Sequence, residues 1–182
     1  MNRRILLTGG ARSGKSTAAE AFLDDAAPVT YVATAPPAPD DPEWQDRVAL
    51  HRSRRPAAWN TVETIHIVGP IGRATPDHPV LVDCLTLWLM ARMDLHEAWD
   101  DPHGAAPAVR SDIDAVARAV ADSPGGLVLV TNEVGSGIVP DDPGSRLFRD
   151  LLGRTNGTVA SQCDDVYLVV AGRFLRLDRR PQ

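Results

Sequence analysis

Short apolar runs alternate along the chain with longer segments that have helical spacing. Continuous apolar runs are typical of strands buried on both faces of a parallel sheet, and β-branched and aromatic residues favour strands. The pattern predicts strands at residues 5–7, 29–33, 64–68, 80–82 and 127–130. Two further runs, 166–170 and 174–177, flank a turn at Gly172 and predict a C-terminal β-hairpin.

Helices are predicted between these strands. The clearest spans residues 109–121, because Val109, Ile113, Val116 and Val120 share one helical face. A second begins at Pro42, capped by Asp40 or Asp41, and ends near residue 54, because Pro56 disfavours helix just before it. Residues 97–107 are rich in proline, glycine and aspartate and predict an exposed loop. The remaining predicted helices cover residues 18–23, 85–93 and 145–163.

The alternation of strands and helices predicts the fold class. It is typical of a three-layer α/β protein with a largely parallel central sheet, and 182 residues suit one nucleotide-binding domain over residues 1–182. Ligands of such sheets bind at the carboxyl ends of the strands. We therefore expect the loop at Gly9, Thr34, Asp83 and the Asn132-Glu133 pair to lie along one edge.

A glycine-rich segment joins the first predicted strand to the first predicted helix. It matches the phosphate-loop pattern G-x-x-x-x-G-K-[ST], and the flanking strand and helix disfavour a chance match. Glycines let the backbone approach phosphate, and free N–H groups attract its oxygens. Lys15 is expected to be catalytic by charge near the β- and γ-phosphates, and Ser16 to hold Mg²⁺. The expected nucleotide contacts here are Gly9, Gly10, Ala11, Arg12, Ser13, Gly14, Lys15 and Ser16.

Asp83 closes the apolar run 80–82. A carboxylate in that place can complete the Mg²⁺ shell opposite Ser16. The alternative is an ordinary helix cap at the end of a strand. Because the phosphate loop is present, the metal role is favoured.

His51 stands among arginines in the helix predicted at residues 42–54. Arg47, His51 and Arg55 follow at helical spacing, and Arg54 lies one turn from His51. Neighbouring cations favour the neutral imidazole, which can attack phosphorus and form a covalent N–P bond. From spacing alone, a solvated basic face with an incidental histidine is favoured.

Charge and cysteine content narrow the function classes. A net charge of −5 argues against general affinity for nucleic acid or an anionic membrane. No apolar run reaches membrane-spanning length, and no signal peptide is expected before the first strand. Cys84 and Cys163 lack metal-type spacing, so a reduced, cytoplasmic protein is expected.

Four blocks of the sequence form a recognisable set. They are G-G-A-R-S-G-K-S at residues 9–16, Y-V-A-T-A at 31–35, H-R-S-R-R-P at 51–56 with Trp59, Thr61 and Glu63, and T-N-E-V-G-S-G-I-V-P at 131–140. Together they resemble the bifunctional adenosylcobinamide kinase/adenosylcobinamide-phosphate guanylyltransferase family. The phosphate loop alone is common to many families, but the histidine block and the Asn-Glu-Val-Gly block together are specific.

The resemblance implies two reactions in cobalamin assembly. ATP or GTP phosphorylates adenosylcobinamide; GTP then guanylylates a histidine, which passes GMP to adenosylcobinamide phosphate to give adenosylcobinamide-GDP. It also implies a RecA-like phosphate-loop fold and a homotrimer. The guanylylated histidine falls on His51. Besides the phosphate loop, the implied nucleotide contacts are Ala33, Thr34, Ala35, Arg52, Ser53, Arg54, Arg55, Glu63 and Asp83.

Two departures from the family pattern, Ser136 and the proline-rich loop 36–42, bear on movement of the His51 helix. We expect that helix to swing toward the phosphate loop when nucleotide binds.

Two other functions are weighed against the bifunctional enzyme. A phosphate-loop NTPase or small-molecule kinase would not need His51, and a RecA-like nucleic-acid-binding module is disfavoured by the acidic charge.

Overall fold

The computed structural model describes residues 2–23, 27–35, 40–53 and 55–178. Its centre is a seven-stranded sheet in the order β3-β2-β4-β5-β1-β6-β7. All neighbouring pairs are parallel except β6 and β7, which form the antiparallel hairpin predicted from the sequence. The strands are β1 (Arg4–Thr8), β2 (Thr30–Ala33), β3 (Asn60–Glu63), β4 (Val80–Asp83), β5 (Leu127–Val130), β6 (Asp165–Val170) and β7 (Arg173–Arg176).

Helices cover both faces of the sheet and make three layers. Strand β5 shows the division, because Leu127 and Leu129 join the core on one face while Val128 and Val130 join the core on the other. This alternation follows from the two-residue period of a strand. The helices are α1 (Lys15–Glu20), α2 (Pro42–Ser53), α3 (Val68–Gly72), α4 (Leu85–Leu95), α5 (Pro102–Asp122) and α6 (Pro143–Ala160).

The two cores contain different helices. The larger core receives buried side chains of α3, α4, α5 and α6, including Val109, Ile113, Val116 and Val120, the shared face predicted for residues 109–121. The smaller core contains Ala18 of α1. No described helix is long and apolar enough to cross a membrane.

The strand register aligns the carboxyl ends of five strands. Glu63, Ala33, Asp83, Val130 and Leu7 are successive partners across β3, β2, β4, β5 and β1. Neighbouring strands lie about 4.8 Å apart, so the segments that leave these strands are close together. The predicted gathering of Thr34, Asp83 and the phosphate loop at one edge is confirmed.

The strand predicted at residues 64–68 is wrong. Strand β3 is Asn60–Glu63, and Val68 instead begins α3. The strand lies at the edge of the sheet, and three of its four residues are exposed. An exposed edge strand has no need for a continuous apolar run, so the apolar residues that follow it misled the prediction.

The loop predicted at residues 97–107 is also wrong over its second half, because α5 begins at Pro102. Asp101 caps the helix by accepting a hydrogen bond from the Gly104 amide at 2.9 Å. Aspartate followed by proline is a helix start signal, since proline lacks the N–H that the first turn leaves unpaired. The same pair, Asp142 and Pro143, starts α6 two residues before the predicted boundary.

Candidate active site

The phosphate loop forms a tight backbone cradle between β1 and α1. Gly9 has a φ of 152° and Gly14 a φ of 95°, values that favour glycine. A Cβ atom on Gly9 would lie 2.3 Å from the carbonyl oxygen of Val169. The loop is also held from both sides, because the Glu133 amide donates to the Gly9 carbonyl at 3.1 Å and the Gly172 amide donates to the Ser13 carbonyl at 2.9 Å.

Lys15 lies at the first position of α1 with only 7% of its surface exposed. Its ammonium group donates to the Gly10 carbonyl at 2.7 Å, inside the loop. Burial lowers the pKa of the Lys15 ammonium, and the charge of the nearby Asp83 carboxylate partly offsets this. Lys15 is the only lysine in the sequence, and it shares the loop with one other cationic side chain, Arg12.

Asp83 is half-buried at the end of β4, and its Oδ2 accepts a hydrogen bond from the Tyr31 hydroxyl at 2.7 Å. The helix-cap alternative is contradicted, because Cys84 is the N-cap of α4 and none of the described side chains caps that helix. One carboxylate and the hydroxyl of Ser16 are hard oxygen donors, as Mg²⁺ requires. The described residues contain no cluster of three or more His, Cys, Asp or Glu that could hold a metal ion.

An open cleft of about 570 Å³ lies beside strand β3. Arg52 and Glu63 form an ion pair across it, and both are more than half exposed. Arg55 donates to the Thr61 hydroxyl at 3.0 Å and stacks over the Tyr31 ring, 3.6 Å from the ring centroid. The cleft therefore has cationic, acidic and apolar walls, made by Arg52, Arg55, Pro56, Trp59, Thr61 and Glu63.

His51 lies in α2, one residue before Arg52. The helix runs over Pro42–Ser53, close to the predicted 42–54. Arg54 and residues 36–39 of the proline-rich loop fall outside the described residues. The structure thus joins the His51 helix to the cleft through Arg52 and its ion pair with Glu63.

The block from Ala33 to Ala35 follows β2 at the same edge. Thr34 is fully buried; its hydroxyl donates to the Cys84 carbonyl at 2.7 Å and accepts from the Cys84 amide at 2.9 Å. Its hydroxyl therefore links the end of β2 to the end of β4, and it serves there both as donor and as acceptor. Ala33 and Ala35 are half-buried beside it.

Sequence reasoning gave no role to two features of this edge. Tyr31 was quoted only as part of a family block, yet it contacts both Asp83 and Arg55. The Thr131 hydroxyl donates to Asn156 Oδ1 at 2.7 Å, and the Asn156 amide donates to the Asn132 carbonyl at 2.9 Å. These partners are far apart in the sequence, so residue spacing gave no signal for either contact.

The backbone cradle, the buried lysine and the strand-end carboxylate define a phosphate-loop nucleotide-binding protein with an α/β fold. A family model described as cobinamide kinase/cobinamide phosphate guanyltransferase matches residues 5–177. The chain belongs to this family.

Two curated relatives cover nearly the whole chain. The bifunctional adenosylcobalamin biosynthesis protein CobU of Salmonella typhimurium LT2 is 40% identical over 176 residues, which are 92% of this chain and 96% of that protein. The corresponding CobP of Pseudomonas aeruginosa is 37% identical over 186 residues, covering 98% and 99%. A solved Pyrococcus horikoshii OT3 structure, studied as PH0250, has a TM-score of 0.51 at 7% identity over 96% of this chain and 85% of that one, and shares the fold alone.

Proposed function

We propose that this protein phosphorylates adenosylcobinamide with ATP or GTP and then transfers GMP from GTP to adenosylcobinamide phosphate through a guanylyl-histidine intermediate. The observation that carries the proposal is that two neighbouring sites, the phosphate loop and the cleft beside β3, lie in one chain of this family. The phosphate loop holds Lys15 beside Asp83, and the His51 helix leads through Arg52 into the neighbouring cleft. Such a pair suits an enzyme that handles nucleotide phosphates in two ways.

The kinase step uses the phosphate loop directly. The loop amides hold the nucleotide phosphates, and Lys15 exchanges the Gly10 carbonyl for oxygens of the β- and γ-phosphates. Ser16 and Asp83 would hold Mg²⁺, which when bound would supply charge that stabilises the transferring phosphoryl group. The aminopropanol hydroxyl of the corrinoid attacks the γ-phosphorus, the bond to the β-phosphate oxygen breaks, the nucleoside diphosphate leaves, and the hydroxyl proton is released to water.

The transfer step uses His51. An imidazole nitrogen attacks the α-phosphorus of GTP, the bond between the α-phosphorus and the bridging oxygen breaks, and pyrophosphate leaves. A phosphate oxygen of adenosylcobinamide phosphate then attacks the same phosphorus, the P–N bond breaks, and the histidine is restored. Arg52, Arg55 and Glu63 line the cleft in which we place the guanosine part of GTP, and Ala33–Ala35, Ser53 and Arg54 complete the proposed contacts.

The assembly and cellular location are part of the proposal. A homotrimer is supported by the family resemblance and by apolar side chains left exposed in and just after β7, at the other edge of the sheet from β3, among them Phe174, Leu175 and Leu177. Sedimentation velocity should give the mass of three chains. A cytoplasmic location is supported by two free, buried cysteines, and cell fractionation tests it.

GTP labelled at the α-phosphate tests the transfer half. The protein should retain label that is stable to base and labile to acid, as a histidine N–P bond is, and added adenosylcobinamide phosphate should remove it. His51→Ala should take no label and make no adenosylcobinamide-GDP, yet still phosphorylate adenosylcobinamide. His103→Ala, an exposed histidine on α5, is the control and should behave as wild type.

Lys15→Ala, unlike His51→Ala, should affect both reactions. Both reactions build charge on phosphate oxygens, so both should slow by on the order of a hundredfold. If His51→Ala still forms adenosylcobinamide-GDP, the covalent mechanism is wrong. If it keeps full nucleotide turnover without corrinoid, the protein is a phosphate-loop NTPase or a different small-molecule kinase.

A further inference from the structure

Tyr31 connects the two parts of the candidate site through two contacts of different kinds. Its hydroxyl donates to Asp83 Oδ2 at 2.7 Å, and its ring lies 3.6 Å from the Arg55 guanidinium carbon. The residue is only 2% exposed, so water does not compete for either contact. A buried neutral phenol therefore stands between a carboxylate at the phosphate loop and a cation of the cleft.

The hydrogen bond fixes the orientation of the Asp83 carboxylate. Oδ2 is occupied by Tyr31, whereas Oδ1 accepts no hydrogen bond from any residue that the structure describes. The hydrogen bond from Tyr31 therefore leaves Oδ1 as the Asp83 oxygen that is available to bind a ligand.

Arg55 is held in a similar way. Its guanidinium is placed by the Tyr31 ring and by the Thr61 hydroxyl, 3.0 Å from NH1. Its Nε atom is buried without a hydrogen-bond partner in the described structure. The stacking leaves the guanidinium as a wall of the cleft, where anions can reach its edge.

We propose that Tyr31 is a positioning residue for nucleotide binding: its hydroxyl orients Asp83 toward Mg²⁺ and its ring orients Arg55 toward the nucleotide in the cleft. This rests on the proposed function, in particular on the Mg²⁺ role of Asp83. The two contacts use different atoms of one side chain, so they can be removed separately.

Tyr31→Phe removes only the hydroxyl contact, and Tyr167→Phe is its matched control because these are the only two tyrosines. Tyr167 packs against Phe22 and Phe174 away from Asp83. Binding of a fluorescent GTP analogue is titrated in EDTA and then over a range of Mg²⁺ concentrations. For Tyr31→Phe we expect unchanged affinity in EDTA and about a tenfold higher Mg²⁺ midpoint, as for one lost charge-assisted hydrogen bond. Tyr167→Phe should match wild type in both.

A double-mutant cycle with Asp83→Asn tests whether Tyr31 acts through Asp83. In the Asp83→Asn background, Tyr31→Phe should change the Mg²⁺ midpoint by less than about twofold, because coupled residues are not additive. Tyr31→Leu also removes the ring, so nucleotide affinity should fall even in EDTA. Thermal unfolding without ligand identifies any variant that fails to fold. If Tyr31→Leu fails to fold, Tyr31→Phe and the double-mutant cycle still decide the question.

Two results would overturn the proposal. Overlapping Mg²⁺ titrations of Tyr31→Phe and wild type, with GTP binding intact, would remove the role of Tyr31 and leave the proposed function standing. Independent, additive effects of Tyr31→Phe and Asp83→Asn would do the same. Wild-type GTP binding that is insensitive to Mg²⁺ would instead overturn both this inference and the metal role on which it rests.

Discussion

Gly9 is the position in the phosphate loop where one residue type is required. It combines a φ of 152° with the Val169 carbonyl oxygen 2.3 Å from where a Cβ would lie. Its neighbour Gly10 has open space around the corresponding point. The two glycines therefore contribute differently. Gly9 lets the loop pack against β6, whereas Gly10 only leaves the loop backbone without a side chain over it.

Gly9→Ala should destabilise the protein by about 1–3 kcal/mol, as overpacking does. It should also abolish nucleotide binding, because the cradle must shift to accept the methyl group. Gly10→Ala is the matched control and should leave the free energy of unfolding within about 0.5 kcal/mol of wild type. Urea unfolding and binding of a fluorescent nucleotide measure both effects. Equal behaviour of the two variants would contradict the packing argument.

Residues of the site differ in how far the sequence predicts them. Lys15 and Ser16 belong to a contiguous motif whose spacing encodes its geometry, so both were predicted. Tyr31 and Asp83 are 52 positions apart, and only the pairing of β2 with β4 brings them together. The hydroxyl contact of Tyr31 therefore depends on tertiary structure, which local patterns do not contain.

At the scale of elements, the buried strands were predictable and the edge strand was not. Strand β5 is buried at all four positions, so an apolar run is required there and marks it clearly. Strand β3 is held by backbone pairing to one neighbour and tolerates polar residues. For α5, the Asp101-Pro102 start signal was present but was outweighed by the high content of proline and glycine.

A polar connection joins β5, α4 and α6 behind the phosphate loop. Thr131 is fully buried and donates to Asn156, while the Thr86 hydroxyl accepts from the Asn132 amide at 2.8 Å. The next residue, Glu133, donates its amide to Gly9. The connection therefore fixes the point at which the segment 132–140 leaves the sheet and braces the loop.

Thr131→Val should cost about 1–3 kcal/mol of stability, because it leaves the amide oxygen of the half-buried Asn156 without the hydrogen bond from Thr131. Thr155→Val is the matched control, since Thr155 is also fully buried but donates only to the Leu151 carbonyl of its own helix. Urea unfolding should show the larger loss for Thr131→Val, and nucleotide affinity should fall in that variant alone. A larger loss for Thr155→Val would show that the connection is dispensable.

At the scale of the whole molecule, ion pairs hold both ends of the described chain to Asp164 and Asp165, where β6 begins. Arg4 donates to Asp164 through its backbone amide at 2.8 Å and through its guanidinium at 2.9 Å. Asp165, which is buried, pairs with Arg3 and, at 2.9 Å, with Arg176 of β7. These contacts therefore anchor the amino end of β1, the strand that leads into the phosphate loop, to the hairpin of β6 and β7.

The Arg4–Asp164 pair makes stability depend on pH in a defined direction. The hydrogen bond from Arg4 lowers the pKa of the Asp164 carboxyl below its ordinary value of 3.8. A group with a depressed folded pKa stabilises the protein above its unfolded pKa, and this contribution is lost as pH falls through the folded pKa. The contribution is therefore complete at neutral pH and begins to fade below about pH 4.

Asp164→Asn should lower the free energy of unfolding at pH 7 by on the order of 1 kcal/mol, because the pair is partly exposed and screened by solvent. The difference between variant and wild type should shrink steadily below about pH 4, since the wild-type carboxyl is then protonated and loses its charge. Urea unfolding from pH 7 to pH 2 measures this, and Asp77→Asn, in an exposed turn, is the control that should follow wild type throughout. A constant difference across the whole range would mean that shape, and not the charge of Asp164, anchors β1 to the hairpin.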